Sequence, residues 1–352
     1  MMLPRYGREG PSSRYRLYQF LEVLEGCGHT CNISPLLSDK YITRFYSSGG
    51  KDRLEAVRGF LKRLTIIPKA FRYDLIIIEY ELFAYFPPIF ERILKLTGRR
   101  YIVDYDDAIY ERYSNHPCSL IRRMLGKKID KVIRHASAVI VANKTLLNYV
   151  AAINRKVFLL PTVVSAARYD SEPTPDHKDQ FTVGWIGSPT SARYLKSMGN
   201  VFRDLIQKGI RITLIGTGIK EIQSLESLGV ECIKWDQEKE IRDIKKFSVG
   251  IMPLEDDEWS RGKSGFKLVQ YMACRLPVIA SPVGANIEIV DEGETGLFAK
   301  TTDDWVRAVL FLQGNQADAA SMGEKGYRKF RDQYSLEAVS GRYVEIINLA
   351  SR

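Results

Sequence analysis

The stretch Trp259–Gly284, WSRGKSGFKLVQYMACRLPVIASPVG, sets a basic, glycine-bearing loop before a helix and a short apolar strand. Arg261, Gly262, Lys263, Gly265 and Lys267 fall in or next to the loop, while Leu268, Val269, Tyr271 and Met272 belong to the helix. Pro277-Val278-Ile279-Ala280 then reads as a buried strand closed by the turn Ser281–Gly284. A helix N-terminus offers free backbone N–H groups and the positive end of the helix dipole, so an anion is stabilised there. Lysines delivered to that point add charge, and the chemistry they suit is phosphate. A solvated basic loop before an ordinary amphipathic helix gives the same local pattern, and only the rest of the chain separates the two.

At 352 residues the chain suits two domains of about 150 to 200 residues each. It is 45% apolar and 27% charged, a globular composition. No apolar run approaches the ~20 residues that span a bilayer, and Met1–Arg16 is too polar for a signal peptide. The five cysteines (27, 31, 118, 232, 274) are scattered and show no zinc spacing, which reads as reduced thiols in a cytoplasmic protein. Residues 1–170 hold 28 lysines and arginines against 16 aspartates and glutamates, an excess of twelve positive charges; residues 171–352 carry a net of −2. Such an excess in one half points to nucleic acid, an anionic membrane surface or a phosphorylated substrate.

Taken in order, the chain opens on a stub of apolar strand at Met1–Leu3. Ser12 or Ser13 would cap a helix running to about Glu25, with Thr30–Ile33 as the next strand. Residues 51–72 form a basic amphipathic helix suited to a membrane surface or to an ordinary solvent-facing position. Strands at Asp74–Glu79, Tyr101–Asp104, Ala138–Ala142 and Lys156–Leu160 alternate with helices at 88–97, 119–135 and 144–153, the rhythm of a parallel sheet. The polar run 165–180 reads as a linker. Strands at Phe181–Ile186, Arg211–Ile215, Val230–Ile233, Val249–Met252 and Gly296–Ala299 then alternate with helices, including one at 219–228, and a helical pair at 317–350 ends the chain. The expected architecture is α/β: two facing Rossmann-like domains, 1–164 and 181–334, with a helix at 335–352 crossing back to the first.

Within that frame Gly187-Ser188-Pro189-Thr190-Ser191 joins a strand to a helix carrying Arg193, a position where such folds bind phosphate. Gly216-Thr217-Gly218 starts like a dinucleotide fingerprint, but Glu221 stands where the third glycine belongs, so NAD is not expected. Asp104, Asp106 and Asp107 cluster at a strand end, the pattern of a metal site or an acid/base cluster or of plain loop caps; because ligands bind at that edge, a substrate role is expected for at least one of them. The four histidines show no metal spacing.

Two facing Rossmann-like domains, the Gly187–Ser191 turn and the run GKSGFKLVQYMACRLPVIASPVG resemble the retaining GT-B glycosyltransferases of the bacterial group 1 type. Asp104–Ala108 and SSRYR at 12–16 resemble the acceptor side of the same group. The resemblance implies a donor diphosphate held by Lys263, Lys267, Gly265 and Gly187-Ser188, with Arg261 and Arg193 near it. It implies Gln270 at the ribose, where the family has a glutamate, and Trp235 stacked on the base. Eight positions before Gln270 the family has a second glutamate for the donor sugar. This chain has Gly262 there, so that carboxylate is missing or displaced into Glu255–Glu258. Asp106 or Asp107 would orient the acceptor, and Asp104, Ser13, Arg14 and Arg16 would line its site.

The reaction so implied moves a sugar, with retention, from a nucleoside diphosphate (UDP is expected) to a hydroxyl of a lipid-linked glycan in bacterial surface-polysaccharide assembly. No metal or other cofactor is needed if lysines stabilise the leaving diphosphate. The expected location is the cytoplasmic face of the cell membrane, held peripherally through the basic half. A sugar-nucleotide epimerase or hydrolase would need catalytic carboxylates and histidines in the cleft. A nucleic-acid module would need aromatics interleaved with the basic residues, which the basic helices lack; no nucleic-acid partner is expected.

Overall fold

The computed structural model describes residues 1–48, 50, 52–174, 180–218 and 225–351. The expected helix at 219–228 and the middle of the expected linker therefore lie largely outside the described residues. Two parallel sheets organise the chain. The first runs β1-β2-β3-β4-β5, from Met2–Leu3, Ile76–Glu79, Tyr101–Tyr105, Ala138–Val141 and Val157–Leu159. The second runs β11-β10-β9-β6-β7-β8, from Gly296–Phe298, Val278–Ala280, Val249–Met252, Thr182–Ile186, Arg211–Ile215 and Glu231–Ile233. Every pairing is parallel. The second order is the doubly wound one, and its direction reverses between β6 and β9, where such sheets bind ligands beyond their carboxyl ends.

The apolar runs Ile76-Ile77-Ile78 and Val139-Ile140-Val141 are buried throughout because helices cover both sheet faces. The final helix, Leu336–Ser351, leaves the second domain and packs Val339, Tyr343, Ile346 and Ile347 against Met2, Leu17, Ile77 and Ile140 of the first. Tyr343 stacks on Phe20 at 4.1 Å between ring centroids.

Several local expectations are corrected. Ser12 and Ser13 lie inside the Pro11–Arg16 helix, which opens at Gly10 with Pro11 in its first turn and no side-chain cap. Their hydroxyls are drawn instead to buried carboxylates of β2 and the loop after β3. The helix expected to reach Glu25 breaks into Pro11–Arg16, a 3₁₀ turn at Tyr18–Phe20 and Leu21–Gly26. Thr30–Ile33 is reduced to a single bridge between Met2 and Ile33. The 119–135 helix is interrupted at Gly126, into Ser119–Leu125 and Lys128–His135. Part of the expected linker is a helix, Ala166–Ser171, that buries Tyr169. The helix after the Gly187 turn begins as a 3₁₀ segment, Ala192–Met198, before Gly199–Gln207.

Candidate functional site

The carboxyl ends of the two sheets meet, and the meeting is tight. Gly262, which follows the short Glu258–Arg261 helix, lies so close to Ala108 that a Cβ there would come within 2.4 Å of the alanine methyl. Asn143, at the end of β4, donates to the carbonyls of Gly262 and Lys263 at 2.9 and 3.1 Å. Trp259 packs among the first domain's core residues. These contacts present the Lys263 loop to the Asp106–Asp107 loop.

Lys263 Nζ stands 3.7 Å from Asp107 Oδ1 and over the ring faces of Trp259 and Tyr194 at 5.8 and 6.0 Å. Lys267 occupies the first turn of the Phe266–Ala273 helix, and its ammonium lies 5.4 Å over the Trp185 ring. Trp185 also packs under Gly187, where a Cβ would come within 2.5 Å of the indole. The two lysines, the glycine turn and Asp107 therefore share one wall. Burial and the neighbouring Lys263 charge push the Lys267 ammonium down to about 7, with Asp107 opposing. Burial raises the Asp107 carboxyl above the usual carboxylate range, with Lys263 opposing.

Gly265 opens the lysine helix in the left-handed region, φ 68°, with Ile289 Cδ1 only 2.2 Å from where a Cβ would stand. Ser188 is turned inward: its N–H donates to Ser191 Oγ at 3.0 Å, and Ser191 N–H returns to the Ser188 carbonyl at 2.9 Å. Arg193 is exposed and donates to Tyr194 Oη at 2.8 Å, whose hydroxyl also meets Ser260 Oγ at 2.8 Å. Arg261 points to solvent and pairs with Asp256 at 2.7 Å. Asp257 caps the Glu258–Arg261 helix through Ser260 N–H. The acidic run 255–258 thus has two of its carboxylates engaged locally.

A second cluster joins the domains around Glu240, in the first turn of the Glu240–Lys245 helix. Its carboxylate accepts from Tyr15 Oη at 2.8 Å, Trp235 Nε1 at 2.6 Å and Gln270 Nε2 at 3.2 Å, and Arg14 Nη2 lies 3.6 Å away. The Arg14 guanidinium lies over Tyr15 and Trp235 at 4.7 and 5.0 Å. Its Nε and Nη1 atoms are buried with no hydrogen-bond partner. Gln270 is buried and also donates to Tyr169 Oη at 3.1 Å. Nothing in the residues around 240 marked this carboxylate; its role comes entirely from what packs on it.

The third group lies at the ends of β2 and β3. Ser12 Oγ lies 2.9 Å from Asp106 Oδ2 and 2.8 Å from Glu79 Oε1, its single hydrogen shared between the two carboxylates, and Ser13 donates to Glu79 Oε2 at 2.5 Å. Tyr80 donates to Asp106 from a backbone at φ 62°, a strained conformation for a tyrosine. Burial, helped by the Asp106 charge, pushes the Glu79 carboxyl up to about 7. Arg16 and Asp104 are placed differently. Both are buried and face each other in a two-pronged ion pair, Nε–Oδ1 2.7 Å and Nη2–Oδ2 3.0 Å, with Arg16 also on the Leu160 carbonyl at 2.8 Å. That pair ties the helix to β3 and leaves neither group open to a ligand. Among the described residues no three His, Cys, Asp or Glu side chains are grouped to hold a metal ion.

Two parallel-sheet α/β domains facing each other across their carboxyl ends define the GT-B architecture. Residues 180–315, most of the second domain, match the model of the family described as glycosyl transferases group 1, the type that the resemblance implied. The chain is 29% identical over 83 residues to a probable sucrose-phosphate synthase of Thermosipho melanesiensis, a match covering 24% of this chain and 19% of that one. It therefore spans about a fifth of that curated relative. Among solved structures, sucrose-phosphate synthase from Thermosynechococcus elongatus superposes with a TM-score of 0.71 at 15% identity, over 99% of this chain and 98% of that one. HepE of Anabaena in complex with UDP-glucose gives 0.71 at 12% identity, and a glycosyltransferase from Rickettsia africae gives 0.68 at 13%, with the same coverage. At these identities the likeness is one of fold.

Proposed function

We propose that the chain transfers a glycosyl group from a nucleoside diphosphate sugar to a hydroxyl acceptor, with retention at the anomeric carbon. The observation that carries this reading is the lysine wall. Lys263 and Lys267 share one wall at the start of the Phe266–Ala273 helix, where burial and the Lys263 charge push Lys267 down to about 7. A diphosphate leaving group brings negative charge to that wall, and its growing charge is what the two ammonium groups stabilise. In a front-face transfer the departing phosphate oxygen takes the acceptor proton, so no protein base is required. Asp106, oriented by Ser12 and Tyr80, and Asp107, opposite Lys263, then hold the acceptor hydroxyl. Lysine charge also makes a metal unnecessary in this scheme.

UDP-sugars are the first donors to test, since HepE, similar in fold, has been solved with UDP-glucose. The acceptor we favour is a lipid-linked glycan of bacterial surface-polysaccharide assembly, met by a peripheral enzyme on the cytoplasmic face of the membrane. No described helix is long and apolar enough to cross a bilayer. Calorimetry with UDP, GDP, ADP, dTDP and their sugar conjugates tests the donor site. Selective binding of one nucleotide, lost in Lys263→Ala with Lys267→Ala, supports the reading; no binding by any of them removes it. Following the anomeric proton of the product by NMR then tests retention.

A further inference from the structure

One face of the first domain is apolar and uncovered, yet bordered by positive charge. Of the fourteen large apolar side chains left exposed among the described residues, eleven lie between residues 54 and 124. On the Arg53–Ala70 helix, Leu54, Val57, Leu61 and Leu64 form one stripe, about 80° wide at ~100° per residue. The opposite side of that helix gives Arg63, Ile67 and Ala70 to the interior. Arg58, Lys62 and Lys69 run along the edge of the stripe. The same arrangement recurs on Ile89–Leu96, where Ile89, Ile93 and Leu96 share a face beside Arg92 and Lys95. It recurs again on Ser119–Leu125, with Leu120 and Met124 exposed beside Arg122 and Arg123. Leu96 is 74% exposed and Met124 62%.

The three stripes adjoin. Phe60 of the first helix lies 5.4 Å from Phe83, and Phe83 lies 5.0 Å from Phe90 of the second. Tyr85 meets Tyr113 and His116 at 5.5 and 5.9 Å, and His116 accepts the Cys118 N–H where the third helix begins. This run starts three residues past Tyr80, whose hydroxyl is on Asp106. The apolar face is therefore joined through one short segment to the carboxylates at the mouth of the site.

We infer that this face docks on an anionic lipid bilayer, with the leucine stripes at the acyl boundary and the lysines and arginines among the headgroups. The inference rests on the glycosyl-transfer reading for its purpose, since it brings a lipid-linked acceptor up beside Asp106 and Asp107. Amphipathic helices with a basic border bind lipid surfaces by apolar burial and by attraction to anionic headgroups acting together. A second copy of the chain fits the face poorly. A two-fold contact would set Arg58, Lys62, Arg92 and Arg122 against their own like charges.

The test is co-sedimentation of the full chain with phosphatidylcholine vesicles, with and without phosphatidylglycerol. It is run on wild type and on Leu61→Glu with Ile93→Glu, both positions being at the surface. The expected result is binding to the anionic vesicles only, weakened roughly tenfold or more by the two glutamates, with nucleotide binding unchanged. Three results overturn it: no binding to anionic vesicles, binding that the glutamates leave intact, or self-association abolished by them without any vesicle binding. Nucleotide calorimetry on the same samples separates the two readings. A protein that binds vesicles and no nucleotide fails the donor site alone, and one that binds nucleotide and no vesicles fails the docking face alone.

Discussion

Lys263 Nζ and Asp107 Oδ1 lie 3.7 Å apart across the junction of the two sheets, each largely sheltered from water. The pair links the loop after β9 to the loop after β3, so the domains close with opposite charges face to face. Under the proposed transfer, a diphosphate entering beside Lys263 would compete with Asp107 for the ammonium and free the carboxylate to meet an acceptor hydroxyl. Lys263→Ala is expected to lower kcat about 100- to 1000-fold, the usual cost of one preorganised donor to a developing oxyanion. Its effect on KM should be much smaller. Steady-state kinetics with the donor identified by calorimetry checks the split.

Lys267 gives a pH signature. Its folded pKa near 7 lies below the ordinary lysine value, so around pH 8 the free site is mostly neutral. A bound diphosphate favours the ammonium and raises that pKa, so binding above pH 7 takes up a proton. Affinity should fall as pH rises from about 7, by up to roughly tenfold per unit. Calorimetry in buffers of different ionisation enthalpy measures the uptake directly. Lys267→Arg, which stays charged, should flatten the profile; a wild-type affinity independent of pH between 7 and 9 would contradict the scheme.

Arg16 and Asp104 should matter for stability rather than for binding. Asp104→Ala leaves a buried guanidinium unpaired, and breaking such a pair costs about 3–5 kcal/mol. Thermal unfolding should show a large loss, while any protein that remains folded at low temperature binds nucleotide as wild type does.

Glu79 offers a second pH test, read on stability instead of affinity. Its folded pKa of about 7 lies above the unfolded value, so the native state holds the extra proton between about pH 4.5 and 7. Its contribution to stability is present below that window and is lost as pH rises through it. Glu79→Gln should remove this part of the pH dependence, and denaturant titrations at pH 5 and pH 8 reveal the difference.

Gly265→Ala tests the opening of the lysine helix. The position combines φ 68° with a Cβ approach of 2.2 Å to Ile289, so the substitution should cost about 1 kcal/mol or more and shift Lys267. Nucleotide affinity should fall further than stability does.

The sequence by itself determined the two parallel sheets, because buried strands must be apolar along their length, as Ile76-Ile77-Ile78 and Val278-Ile279-Ala280 are. It also determined the lysine loop, since Lys263, Gly265 and Lys267 act within one local turn. What only the tertiary structure decided is which charges remain open. Arg16 and Asp104 stand 88 residues apart in the chain and consume each other. Glu240 is met by Tyr15 from 225 residues away and becomes the joint of the two domains. Ser12 and Ser13 read as helix caps, yet they serve Glu79 and Asp106 because the sheet edge brings those carboxylates within reach. Local patterning follows from a residue's neighbours in the chain. Ion pairing and desolvation depend on distance and burial between segments, which no local pattern encodes.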